Sequence, residues 1–248
     1  MCGRYASSRR PEDLIEEFEV IADRTPAPLA ADYNVAPTKE VYAVVERPPS
    51  KDSPEPPERQ LRVFTWGLVP SWAKDPSIGN RMINARMETV AEKPAFKRAF
   101  AVRRCLLPAD GYFEWYPTSQ TNAKGKPVKQ PYFIRPADGG VLAMAGLYEI
   151  WRDQTLADDD PDRFRWTCTV LTTEAEDSLG HIHDRMPLMV ERDRWHEWLD
   201  PRVGGELSLL VPAAPGSLEA YPVAPLVSNV RNNGPELIEP LPLEEALS

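Results

Sequence analysis

The sequence predicts one domain of mixed α+β type, with many short strands and few short helices. Three observations lead there. The 27 prolines in 248 residues fit many short elements joined by rigid turns. Apolar runs are of strand length and bounded by turn residues, whereas helical periodicity is brief. No repeat is visible, and no linker separates two self-sufficient halves. The Pro-rich stretch 47–60 follows only 46 residues, too few to fold comfortably alone. The domain is expected to span 2–230, with 231–248 an acidic, Pro-rich tail that packs poorly.

Residues 11–20, PEDLIEEFEV, read as a short amphipathic helix. Pro11 is tolerated in the first turn, acidic residues follow at the positive end of the dipole, and Leu14, Ile15 and Phe18 form the apolar face. Residues 41–46 read as a strand, and 47–60, with five prolines and almost nothing to bury, as a loop. Residues 61–66 resume as a strand, and 88–99 hold one or two short helices interrupted near Pro94. Segments 104–109 and 111–116 are extended around the turn signal Asp110-Gly111. A polar loop at 118–130 precedes strands near 131–135 and 141–150. The acidic stretch 153–163 reads as a solvated loop, 164–171 and 186–191 as strands, and 193–199 as a short helix. Segments 208–211 and 221–224 read as closing strands.

The composition, 42% hydrophobic and 27% charged, excludes a wholly disordered chain. A formal charge of −9, from 29 basic and 38 acidic residues, does not advertise a nucleic-acid binder. A local basic groove can still sit inside an acidic protein. Three cysteines, Cys2, Cys105 and Cys168, argue against a disulfide-stapled scaffold and form no C-x-x-C motif. With no signal peptide or membrane-length apolar run, a reducing cytoplasm is the expected compartment.

Cys2 becomes the N-terminus when the initiator methionine is removed. Its amine and thiol then sit on adjacent carbons, with reference pKa values near ~8 and ~8.5. Both are then partly nucleophilic at neutral pH. The pair suits aldehydes: the amine makes a Schiff base and the thiol closes a thiazolidine. The bland alternative is a frayed terminus.

Asn84 reads as a turn or helix-start residue, or as an uncharged group positioning an amine or thiol. Arg86 beside it offers phosphate contacts. Glu114 lies in an aromatic run. On a strand it points away from Phe113 and Trp115, to solvent or to a semi-buried pocket where its pKa would rise. Trp115 is core, or stacks on an unpaired base. His181 and His183 share a face if their segment is extended, and one histidine can work as acid–base without metal. His196 reads as structural or exposed, and Cys105 and Cys168 as small core residues. Thr65-Trp66-Gly67-Leu68-Val69-Pro70-Ser71-Trp72 admits a core corner or a stacking surface. Aromatic and basic residues interleave at Trp72-Ala73-Lys74, which suits single-stranded nucleic acid.

Six blocks together resemble the SOS response-associated peptidase (SRAP) family. They are Met1-Cys2-Gly3-Arg4-Tyr5, Tyr33-Asn34-Val35-Ala36-Pro37, Trp66 through Trp72, Ile83-Asn84-Ala85-Arg86, Arg104 through Trp115, and Ile182-His183-Asp184-Arg185-Met186-Pro187. The segment ending in Val230-Arg231-Asn232-Asn233 is similar to the family's closing region. The resemblance implies mainly antiparallel strands in a curved or barrel-like mixed sheet. It implies loss of Met1 and attack by Cys2 on the sugar aldehyde of an abasic site in single-stranded DNA, giving a thiazolidine crosslink. Asn84 would orient Cys2, Glu114 would shuttle protons, and His183 would act as acid–base on the sugar oxygen. Arg4, Asn34, Trp66, Trp72, Arg86 and Trp115 would hold the DNA. No cofactor, metal or membrane is implied, and a monomer is expected, associated with the nucleoid when bound. Two alternatives stay open: a thiol peptidase acting on other proteins, and a non-covalent module for damaged single strands.

Overall fold

The computed structural model describes residues 2–49, 53, 55–176, 179–242 and 244–246, so Met1, part of the Pro-rich 47–60 stretch and the end of the tail lie outside the described residues. The strands among them are β1 (Tyr5–Ser7), β2 (Ala22–Asp23), β3 (Asp32–Val35), β4 (Glu40–Arg47), β5 (Glu58–Trp66), β6 (Asn84–Arg86), β7 (Arg104–Ala109), β8 (Gly111–Thr121), β9 (Pro127–Pro136), β10 (Leu142–Arg152), β11 (Phe164–Glu174), β12 (Arg185–Pro187) and β13 (Leu218–Pro222). Three short helices, α1 (Pro11–Glu17), α2 (Lys97–Val102) and α3 (Trp195–Leu199), complete the mixed α+β fold.

Strands β11, β10, β7, β4 and β5 are successive antiparallel neighbours. β5 then pairs with β11 in parallel, Thr65 opposite Thr167 and Trp66 opposite Cys168, which closes a barrel-like ring. Alternation sorts the side chains. Val41, Ala43 and Val45 of β4 face an inner core with Phe64, Trp66, Cys105, Leu107, Cys168 and Val170. Tyr42 and Val44 face an outer core with Leu14 and Phe18 of the α1 region, Phe100 of α2 and Trp198 of α3. Cys105 and Cys168 are thus the small core residues expected.

A second sheet, in the order β13-β9-β8-β1-β3, lies against the ring. Tyr5, Val35, Tyr112 and Ile134 join the inner core, while Ala6, Phe113 and Phe133 face a third cluster covered by Val223, Val227 and Leu237. The chain crosses between sheets at Asp110, whose N–H donates to Ala6 O at 2.8 Å and whose carboxylate accepts from Ser8 N–H at 2.6 Å. Gly67 makes another close crossing. Its φ is +134°, and a Cβ there would sit 2.7 Å from Gly79 O.

Several boundaries differ from expectation. β5 begins at Glu58, inside the stretch read as loop. The polar stretch 118–130 is mostly a hairpin of β8 and β9. Its polar side chains are satisfied within the fold, as Thr118 Oγ1 donates to Val128 O at 2.9 Å and Gln130 Nε2 to Val223 O at 2.8 Å. Leu207–Leu209 form a 3-10 turn rather than a strand, burying Leu209. β12 ends at Pro187, short of the expected 191. The weak packing expected from residue 231 onward does not hold up to about 241. Leu237 is fully buried, and Val223 bridges Pro240.

Leu237→Ala is expected to cost about 2–4 kcal/mol, as for other buried leucines. Urea unfolding measures it, and an unchanged midpoint would show that this segment adds nothing to the core.

Candidate active site

The N-terminal strand positions the site. β1 pairs with β8 through Tyr5 and Tyr112, and the Phe113 N–H donates to Arg4 O at 2.9 Å, carrying the pairing back toward Cys2. Cys2 is fully buried, its thiol 4.0 Å from Arg4 O. Asn84, at the start of β6, donates its Nδ2 proton to Cys2 O at 2.8 Å. β6 lies parallel to β11, Asn84 opposite Val170, so the grip on Cys2 is built on a ring strand. Asn84 Oδ1 is buried with no hydrogen-bond partner among the described residues. The segment is therefore strand, not the turn or helix start considered from sequence.

Burial drives the Cys2 thiol far above its ordinary range, and the Glu114 charge adds to this. The thiol is protonated at neutral pH. This holds for the chain that still carries Met1, whereas the expectation of a partly nucleophilic amine–thiol pair concerned the terminus after Met1 is lost. Glu114 on β8 shares the inward face with Tyr112, opposite to Phe113, and is itself buried. Burial pushes its carboxyl up to about 7, so it exchanges protons near neutrality.

His183 follows a turn in which Ile182 N–H donates to Leu179 O at 2.9 Å. The turn separates it from His181, which is exposed, so the two histidines share no strand face. Its Nδ1 lies 3.0 Å from both the Arg185 N–H and Asp184 Oδ1; the backbone N–H can only donate, and that contact corresponds to a neutral ring with its proton on Nε2. Burial lowers its pKa, favouring that neutral form. Arg185 is fixed by two bonds to Glu88, 2.8 and 3.0 Å, and one to Thr172 O at 2.7 Å. His196 is exposed, with Nδ1 3.3 Å from Glu46.

Glu114 and His183 line one open cavity of about 550 Å³ together with Arg4, Trp115, Lys129 and Ser228. Arg4 Nη1 donates to Asn34 Oδ1 at 2.7 Å and to Val227 O at 2.9 Å, with its guanidinium 5.6 Å from the centre of the Trp115 ring. Trp115 is partly exposed and donates to Ser228 Oγ at 3.0 Å. Arg86 is exposed on β6, and Trp72 is 60% exposed.

Two residues expected to hold a ligand do not reach the surface. Trp66 is fully buried and donates to Ile83 O at 2.9 Å, a core corner rather than a stacking platform. Asn34 is also fully buried, its amide donating to the carbonyls of Val227, Asn229 and Asn232 at 3.3, 3.0 and 2.9 Å. It positions Arg4 and the 227–232 segment instead. Lys129 and Ser228 were missed. Lys129 lay in a stretch read as loop, and the continued strand pairing opposite Pro117 was the absent signal. Among the described residues, no group of three His, Cys, Asp or Glu could hold a metal ion, and no helix is long and apolar enough to cross a membrane.

Comparison with known proteins finds a family model described as SOS response associated peptidase (SRAP), matching residues 1–230. Abasic site processing protein YoaM of Bacillus subtilis is 36% identical over 242 residues, covering 96% of this chain and 98% of the relative. Abasic site processing protein YedK of Escherichia coli is 33% identical over 250 residues, covering 97% and 100%. A crystal structure of a protein from Bacteroides thetaiotaomicron shares the fold with a TM-score of 0.77 at 24% identity, covering 97% of this chain and all of that one.

The raised Glu114 pKa has a consequence for stability. The folded chain binds this proton more tightly than the unfolded one, so the stabilisation is complete below the ordinary value of 4.5 and is lost as pH rises through about 7. Glu114→Gln, which cannot ionise, is expected to gain on wild type by up to about 3 kcal/mol above pH 8 and to match it near pH 4. Thermal melts across pH test this, and parallel curves for the two proteins would contradict it.

Proposed function

The chain belongs to the SOS response-associated peptidase (SRAP) family, and from that membership we propose that it processes abasic sites in single-stranded DNA through an N-terminal Cys2. The observation that carries the reading is a carboxyl with a pKa of about 7 set between a buried Cys2 and an open cavity rimmed by Arg4, Lys129 and His183. An amine–thiol pair beside a proton shuttle and cations matches an aldehyde attached to phosphates. Support also comes from the relatives in Bacillus subtilis and Escherichia coli, both named for abasic-site processing.

Loss of Met1 frees the Cys2 α-amine. The amine attacks the C1′ aldehyde of the open sugar, forming an N–C bond, and the hydroxyl leaves as water with a proton from the Glu114 carboxyl. The Cys2 sulfur then adds to the imine carbon. Its proton returns to the Glu114 carboxylate as the carbon–sulfur bond forms, the iminium nitrogen keeps its own proton, and the thiazolidine closes with a net loss of one water. His183 Nε2–H donates to the sugar oxygen as the ring opens. The reverse transfer assists release. Asn84 grips the Cys2 carbonyl and so positions the residue that carries both amine and thiol. Arg86 and Lys129 meet phosphates, and Trp72 and Trp115 offer stacking faces.

The test is incubation with single-stranded DNA carrying one abasic site, followed by denaturing gels and intact mass. The expected product has the mass of protein lacking Met1 plus DNA minus one water, and Cys2→Ala abolishes it. Glu114→Gln and His183→Ala are expected to slow formation on the order of 100-fold. Failure of the wild type to crosslink a fresh site would reject the proposal. Binding without a bond that survives denaturation would mark a non-covalent module, and cleavage of an added protein would mark a peptidase.

A further inference from the structure

The ring has a second mouth, at the ends of its strands away from Asn84 and His183. There β4 ends, β5 begins, β10 ends and β11 begins. Arg47 on β4, Arg62 on β5, Tyr148 on β10 and Trp166 on β11 take inward-facing positions toward this mouth, with Gln60 and Glu58 of β5 and Ile150 of β10 farther out on the same faces. Trp166 is four residues before Val170, the partner of Asn84, about 13 Å along the strand.

The Trp166 ring carries two guanidiniums, Arg62 at 4.5 Å and Arg47 at 5.0 Å from its centre. Below them Phe64, Tyr148 and Trp166 stack on one another, with centroids 5.2, 5.5 and 5.9 Å apart. Both arginines are half-buried. Neither makes an ion pair among the described residues, although this end of the protein is rich in carboxylates. Those carboxylates pair elsewhere: Glu58 with Arg24, Glu46 with Arg59, Asp153 with Arg165, and Asp158 with Arg152 and Arg163. Hydrogen bonds engage one nitrogen of each guanidinium. Arg47 Nη1 donates to Tyr148 Oη at 3.1 Å, and Arg62 Nε to Gln60 Oε1 at 2.8 Å. Two like charges are thus held close together against an aromatic floor, with guanidinium donors left over.

The geometry points to this mouth as a binding site for a phosphate group, gripped between Arg47 and Arg62. The planar donor fork of arginine suits phosphate, and barrel mouths are common ligand sites. The phosphate can belong to a small phosphorylated compound or to a nucleic-acid backbone. The site is separate from the Cys2 cavity, and its existence does not depend on the chemistry proposed there.

Thermal melts of the full chain in inorganic pyrophosphate, against sodium chloride at equal ionic strength, test it. Pyrophosphate at ten times its Kd is expected to raise Tm by about 3–6 °C. Arg62→Gln is expected to lose most of that shift, and Arg47→Gln, at the strand end where folding is least at risk, to reduce it. Calorimetric titration of wild type with pyrophosphate gives a reading independent of any variant. Competition with an intact single strand lacking abasic sites then separates the sources. Displacement of pyrophosphate assigns the site to a nucleic-acid backbone, and no displacement assigns it to a small phosphorylated compound. Absence of pyrophosphate binding by calorimetry, or equal shifts in wild type and both variants, would overturn the assignment.

Discussion

The parallel pairing of β5 with β11 is the contact on which the rest of the molecule depends. Four antiparallel steps alone would leave an open, curved sheet; this short pairing joins its first and last strands. It occupies β11 only at Thr167 and Cys168. Beyond it, the same strand carries β6 at Val170 to Thr172 and β12 at Thr172 to Glu174. Asn84 and the turn that presents His183 are therefore anchored to one rigid strand. Gly67 lets the chain leave the closure point: its N–H donates to Cys168 O at 2.8 Å in a backbone conformation that side chains rarely tolerate.

The second sheet brings in the remaining groups, and a buried polar knot fixes its position. Asn34 accepts from Arg4 and donates to three carbonyls of the 227–232 segment. A buried amide left unpaired would cost free energy, whereas one bonded on both ends is highly specific about what surrounds it. Through it the chain's first residues, a strand near position 34 and a segment almost 200 residues later take up one arrangement. Ser228 and Trp115 thereby form one wall of the cavity, and Arg4 is held at its edge.

The fold class and the reactive groups were legible in the sequence because they rest on local signals. Strand-length apolar runs, a second-position cysteine and a glutamate alternating with aromatics can each be read within a few residues. Residues whose role depends on distant partners were less accessible. Trp66 and Trp72 share a block of similar composition, yet one closes the core and the other is largely exposed, and the difference lies in the crossing at Gly67 and Gly79. Asn34 was expected to contact DNA only through the family resemblance; the partners that bury it are far along the chain. The hairpin at 118–130 read as loop because its buried polar side chains are paired across the sheet, which one segment cannot reveal. The short Leu237-Ile238 pair among prolines and glutamates gave little hint that Leu237 would be enclosed.

The burial of Cys2 also bears on durability. Peroxide oxidation and exchange with small disulfides both require a thiolate that solvent can reach. Cys2 offers neither: its sulfur is enclosed, and desolvation holds its proton in place. Under the crosslinking proposed above, a protein occupied by its own covalent product until release works more as a reagent than as a rapidly recycling catalyst. For a reagent, the useful stock is the fraction still unspent when the target appears. An enclosed, protonated sulfur lengthens that shelf life, and slower attack is the corresponding cost.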